Sequence, residues 1–350
     1  MTGQKRIIIV GAGIAGLTTA FWLHQSGHQL LLIDAGEVGQ ESTWAGGGII
    51  SAVPPWNYPD LVNRWVSRSR ALYPSMIEVL EQRTGIDCEY RTSGLVLTGW
   101  PMTAATAWLA ANAVTAMTGP LKNFQPNLSS PEQDAILLPD VTQVRNPRLA
   151  SAFRAWLDHQ PIDLLEHTAV ERVLLSHKRV QGVRTVRGDT IPARHVVLAC
   201  GAWTDRILLR SGLDRLGIEA IRGQMLLYRP QPALLNHIIN TPAGYLIPRQ
   251  DGRILAGATV ESVGIDRRPS HTGFQQLAEM AQQLLPALEP DCIELHWSGL
   301  RPGIRGDEPV CGPHDLNHGL WLQSGGFRNG LGIAPAAAEH LTQQMNQAVS

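Results

Sequence analysis

Two glycine-rich segments at opposite ends of the chain have spacings that could do chemistry. Gly11-Ala12-Gly13-Ile14-Ala15-Gly16 has the GxGxxG pattern, and an acid, Asp34, closes the next apolar run. Each glycine has its own task in such a turn. Gly11 allows the sharp exit from a strand, Gly13 lets backbone approach a pyrophosphate, and Gly16 lets helix and strand pack closely. Amides left free at the helix start then face negative phosphates, and Asp34 is placed to accept hydrogen bonds from an adenosine ribose. At the far end, Gly325-Gly326-Phe327-Arg328-Asn329-Gly330-Leu331-Gly332 leads from a strand into a last helix, with Pro335 in an early helical position. The positive end of that helix suits negative charge building up on a bound ring.

Three further features add to these. Ser42-Thr43-Trp44-Ala45-Gly46-Gly47-Gly48 is small and backbone-rich, so it can lie flat against a planar ring or its phosphates; flanking Trp44, Ile49 and Ile50 predict that it is packed. Arg301, between Leu300 and Pro302, is predicted to be held in a rigid, extended segment. Arginine is the side chain for two-point capture of a carboxylate. Tyr245, in Gly244-Tyr245-Leu246-Ile247-Pro248, is a candidate pocket hydroxyl. His314 and His318 stand four apart, but Pro313 and Asn317 mark a loop, so they are read as solvated and no metal site is expected.

The elements that must position these residues are legible in outline. The β-branched run 7–10, the glycine turn and the helical pattern 14–24 open a βαβ unit that closes at 30–34. The apolar run that follows Lys5-Arg6 is therefore not read as a leader or an anchor. Residues 36–48 read as a loop, 61–83 as a long amphipathic helix kinked at Pro74, 92–98 as a strand, 104–117 as a helix and 120–131 as a loop. A helix over 147–160 and a hairpin over 170–176 and 180–186 come next. A buried strand over 195–199 then runs into a glycine turn at Gly201. Segments 223–229, 244–248 and 253–259 alternate like antiparallel strands. A helix over 272–285, a strand over 320–324 and a helix to about 349 complete the chain. Parallel-sheet signals thus open and close the sequence, with an antiparallel block inside. The expectation is an α/β protein with a Rossmann-like nucleotide-binding domain, over 1–86, 145–215 and 302–350. A substrate domain with a mainly antiparallel sheet and helices occupies 87–144 and 216–301.

Composition excludes several classes. Lys plus Arg is 29 and Asp plus Glu is 30, a balance that argues against nucleic acid as a partner. No other apolar stretch approaches the length needed to span a bilayer, so no membrane insertion is expected. The scattered Cys88, Cys200, Cys292 and Cys311 form no CxxC pair, which reads as a reduced, cytoplasmic protein. The only lysines are Lys5, Lys122 and Lys178, none placed like a Schiff-base lysine. There is no HExxH and no GxSxG.

Taken in order, the fingerprint, STWAGGG, VVLACGAW, GYLIPR, GRILAGATVE, GLRPG and GGFRNGLGIAP resemble the D-amino-acid oxidase superfamily of FAD enzymes, and within it the glycine oxidases associated with making the thiazole of thiamine. The resemblance covers nearly the whole chain. It implies non-covalent FAD. The adenosine, phosphates and ring would lie on Ile14, Ala15, Asp34, Ala35, Ser42, Thr43, Gly46, Gly47, Gly48, Ile49 and Gly201, with Val170 on the adenine side. Gly326, Phe327, Arg328, Asn329, Gly330, Leu331 and Gly332 would touch the flavin. It implies Arg301 as the carboxylate-binding residue, with Arg328 and Tyr245 beside the substrate. Val260 and Trp44 depart in size from relatives, so pocket volume is expected to depend on them. The implied reaction is oxidation of glycine, sarcosine or a small D-amino acid by hydride transfer to flavin, with oxygen as acceptor, in a homo-oligomer. The alternatives are a D-amino-acid dehydrogenase with another acceptor and a non-catalytic nucleotide sensor.

Overall fold

The structure is a computed structural model that describes residues 6–349. Lys5 lies outside the described residues. A six-stranded sheet has the order Val310–Pro313, Leu320–Ser324, His195–Leu198, Ile7–Val10, Leu30–Ile33, Ile162–Leu165. All its pairings are parallel except that of the edge strand Val310–Pro313. Its central strands are continuously apolar because both faces are covered. Side chains alternate across a strand. Ile7, Ile9, Leu30 and Leu32 therefore join one core with the helices Ile14–Gln25, Asp60–Thr84 and Gly330–Val349. Ile8, Val10, Leu31 and Ile33 join another, under the antiparallel sheet Val170–Ser176, Arg179–Thr185, Thr190–Pro192 and the helix Thr204–Arg210.

A second, eight-stranded sheet has the order Ile293–Gly303, Glu219–Tyr228, Ile254–Gly257, Gly244–Pro248, Ile238–Thr241, Leu95–Thr98, Asp134–Leu138, Met117–Pro120. It is antiparallel except where Ile238–Thr241 meets Leu95–Thr98. Helix His271–Leu284 buries Leu277, Met280 and Ala281 against one face. Ser270 caps this helix by accepting a 3.1 Å hydrogen bond from Gly273 N. A small sheet of Ile49–Ile50, Thr142–Gln143 and Arg91–Thr92 joins segments on either side.

Several elements differ from expectation for local reasons. The expected strand 92–98 is two strands, broken at Gly94, whose φ is 64°. The helix expected over 104–117 runs Met102–Asn112, since Ala113 turns left-handed (φ 50°) and Met117–Pro120 is a strand on the sheet edge. The loop 36–48 contains one helical turn, Ser42–Ala45. Asp60–Thr84 runs through Pro74 as one helix, held by buried residues along its length from Val62 to Leu80. Arg301 lies in a full strand, Ile293–Gly303, paired along its length with Glu219–Tyr228.

Candidate active site

One cavity of about 680 Å³ runs from the ends of the parallel strands to the eight-stranded sheet. Its wall includes Gly11, Gly13, Ile14, Ala15, Asp34, Ala35, Ser42, Thr43, Gly46, Gly47, Gly48, Ile49, Val170, Gly201, Tyr245, Arg301, Gly326, Phe327, Arg328, Asn329, Gly330 and Leu331. Of the residues named from sequence, Gly16 and Gly332 are not in the wall. Gly16 is pressed beneath the Gly11 carbonyl, and Gly332 faces Val66 and Ser51. Both serve packing. Val260 and Trp44 are also outside the wall. Val260 is 56% exposed, and Trp44 meets Trp297 edge-on at 5.6 Å. Neither sets the cavity volume.

The nucleotide end is built from the backbone. Gly11 has φ 105°, and a Cβ there would stand 2.4 Å from the Ala199 carbonyl oxygen. Asp34 accepts from Ala12 N at 2.6 Å and Gly36 N at 2.8 Å, which fixes its carboxylate beside the first turn. The Ile14 amide is not free: it donates to Thr43 Oγ1 at 2.8 Å, tying the glycine turn to the 42–48 loop. Two residues missed in the sequence shape this end, Asn146 in the wall and Arg249 behind it. Asn146 donates from Nδ2 to the Thr43 carbonyl at 2.6 Å, while its Oδ1 is buried with no hydrogen-bond partner among the described residues. An unsatisfied acceptor in a cavity wall is disfavoured unless a ligand donor meets it. Flavin and ribityl groups carry such donors, so these residues fit FAD. Arg249 lies behind the loop, donating to Gly47 O at 3.0 Å, Val144 O at 2.9 Å and Gln143 Oε1 at 2.6 Å. Burial pulls its pKa down to about 10.

The other end collects cations and hydroxyls. Arg301 Nη1 donates to Thr259 O at 3.0 Å, and no carboxylate pairs with Arg301 among the described residues. Burial draws its pKa below the ordinary value; the Tyr245 hydroxyl opposes this and Arg328 adds to it. Tyr245 is buried, with its hydroxyl 3.9 Å from Met225 Sδ. Arg328 stands exposed on the short turn Phe327–Asn329. Tyr58, also missed in the sequence, lines the same end; burial raises its pKa, and Arg328 opposes that. No local pattern marks Tyr58, because only the fold brings its loop to Arg328.

Space for the arginine comes from Gly223. The two strands pair Ile221 with Arg301 and Gly223 with Gly299, and a Cβ on Gly223 would stand 2.1 Å from both Arg301 terminal nitrogens. Gly223→Ala is expected to push the guanidinium aside and raise KM for a small amino acid about tenfold or more. Its Tm should move little, because the group displaced is the end of a flexible side chain. Steady-state kinetics with a melting curve checks this.

The comparisons with known proteins agree with this geometry. The family model described as DAO, FAD dependent oxidoreductase, matches residues 6–344. The chain is 38% identical to a glycine oxidase of Pseudomonas putida, covering 99% of this chain and 95% of that one. It is also 38% identical to a glycine oxidase of Pseudomonas aeruginosa, covering 98% and 95%. The crystal structure of glycine oxidase from Geobacillus kaustophilus superposes with a TM-score of 0.91 at 26% identity, covering 99% of this chain and 95% of that chain. A family match along almost the entire sequence, on a cavity whose wall fits the cofactor, gives the assignment: the chain belongs to the DAO family of FAD dependent oxidoreductases.

Proposed function

We propose that this protein carries out FAD-dependent oxidative deamination of glycine and other small amines, such as sarcosine and small D-amino acids, giving an oxo acid, ammonia and hydrogen peroxide. The observation that carries this is Arg301: a cation without a carboxylate partner among the described residues, in the cavity that also holds the nucleotide fingerprint. FAD, when bound, supplies the two-electron acceptor. Arg301 captures the substrate carboxylate, with the Tyr245 hydroxyl beside it. Arg328 adds positive charge on the same side. The wall offers no idle base among the described residues. Asp34 is held by two amides, Glu41 pairs with Arg267, Glu171 lies 3.8 Å from Arg184, and no histidine lines the cavity. Rate acceleration then comes from orientation and electrostatics rather than from proton abstraction by a side chain.

The reading extends to oxygen as the acceptor, a cytoplasmic location and a homo-oligomer. Four free cysteines suit a reducing compartment. Leu209 and Ile265, exposed around one shallow depression, suit contact with another copy. It also keeps two domains, 1–86 with 145–215 and 302–350, and 87–144 with 216–301. In support, the six-stranded sheet draws only on the first set, and the eight-stranded sheet draws on the second apart from the end of Ile293–Gly303. The resemblance further implies supply of the glycine imine for thiamine thiazole.

An anaerobic absorption spectrum, titrated with glycine and then opened to air, tests the activity. Bleaching with glycine and recovery in air with peroxide is the expected result. A yellow protein that fails to bleach overturns glycine as substrate. Bleaching without recovery overturns oxygen as acceptor and leaves a dehydrogenase.

A further inference from the structure

Behind Arg301, outside the cavity wall, lies a polar network centred on Glu261. Its Oε2 accepts from Arg222 Nη2 at 2.5 Å and Nε at 3.1 Å. Its Oε1 accepts from Gln224 Nε2 at 2.6 Å and from the Thr259 hydroxyl at 2.5 Å. The Glu261 backbone exchanges two 2.9 Å hydrogen bonds with Arg222. Gln224 N donates to Thr259 Oγ1 at 2.9 Å, and Gln224 Oε1 takes Ser270 N at 2.8 Å and meets His296 Nε2 at 2.9 Å. Arg222, Gln224 and Thr259 are buried. Burial alone would raise the Glu261 pKa, but the hydrogen bonds from Thr259, Gln224 and Arg222 hold it below the usual carboxylate range.

The arrangement joins the two surfaces that locate Arg301. One is Gly223, on which the guanidinium lies; the other is the Thr259 carbonyl, which accepts its hydrogen bond. Arg222 and Gln224 flank Gly223, and alternation sends their side chains to the opposite face of the strand. There Glu261 grips both, and grips Thr259 as well. Resting on the reading of Arg301 as the carboxylate-binding residue, we propose that Glu261 is a positioning residue for substrate capture. It locks strand 222–224 to segment 259–261 and so fixes the direction of the Arg301 guanidinium. Glu261 touches neither substrate nor cofactor.

The test uses the FAD-loaded enzyme and glycolate, which carries the carboxylate without an amine. Binding is followed by perturbation of the flavin spectrum. Glu261→Gln keeps the shape but removes the charge. It is expected to raise the glycolate Kd and the glycine KM about five- to tenfold while kcat and FAD content stay within about twofold. Thr259→Val cuts the hydroxyl link and leaves the carbonyl, and it is expected to move the same constants in the same direction. In an Arg301→Ala background, Glu261→Gln should add nothing, because its effect runs through that side chain. Unchanged glycolate binding in both single variants overturns the proposal. So does a fall in Tm and FAD content with no change in Kd. Wild-type enzyme that does not bind glycolate overturns the carboxylate reading of Arg301 itself, and the role of Glu261 with it. If Glu261→Gln does not fold, Thr259→Val decides.

Discussion

Arg301→Ala is expected to raise KM for glycine by about 100- to 1,000-fold while FAD remains bound. The size follows from the site. Removing one partner of a buried, hydrogen-bonded charge pair costs about 2–5 kcal/mol, and each 1.4 kcal/mol is about a factor of ten. Here no second carboxylate partner competes for the guanidinium among the described residues, and partial burial has already weakened its hydration. A substrate carboxylate therefore replaces missing solvation instead of displacing another ion pair. Arg328 is a poor substitute because it stands exposed on its turn. FAD content should hold, since the contacts of the glycine turn, Asp34 and Thr43 do not involve Arg301. Steady-state kinetics, with the flavin-to-protein absorbance ratio measured on the same preparation, gives both readings. A KM within about threefold of wild type would remove Arg301 from carboxylate capture.

Gly16→Ala is expected to abolish the folded, yellow protein. A Cβ at this position would stand 1.8 Å from the Gly11 carbonyl oxygen and 3.0 Å from its carbon. Those are backbone atoms inside the turn, so relief requires the helix to leave the strand. That separates Ile9 from Leu17, both fully buried in the same core, and opens packing whose loss costs several kcal/mol. Gly13→Ala is the control. Its Cβ would meet only Thr43 Oγ1 at 3.3 Å, so that variant should fold and lose FAD affinity without losing the core. Soluble yield, melting temperature and bound FAD of the pair separate the two glycines. Equal behaviour of the two variants would refute the division of roles.

What could be read before the fold was known was local chemistry. Gly11, Gly13, Gly16 and Asp34 are legible because a strand, a turn and a helix start are contiguous, so spacing carries geometry. The same holds for the Gly325–Gly332 segment and for the rigid setting of Arg301. Gly332 groups with the ligand-facing glycines of its segment in the sequence, because spacing does not say which side of a turn a residue presents. The resemblance ties Val260 to pocket volume through its size. The structure leaves Thr259 3% exposed and Val260 56% exposed, because adjacent residues in extended backbone point to opposite sides. Tyr58, Asn146, Arg249 and Gly223 could not be picked out at all. Each matters through a partner in another segment: Arg328, Thr43, Gly47 and Arg301.

The sequence by itself determined the kind of protein: the parallel-sheet ends, the antiparallel block between them, the nucleotide turn and the arginine suited to a carboxylate. These depend on periodicity and on short spacings, which the chain carries within a few residues. The tertiary structure decided which strands pair. It thereby decided that Arg301 lies on Gly223, that the Thr259 carbonyl receives it, and that Glu261 ties the two together from the far side of the sheet. Strand register is a property of two distant segments at once, and a shift of one residue would turn every one of these side chains to the opposite face.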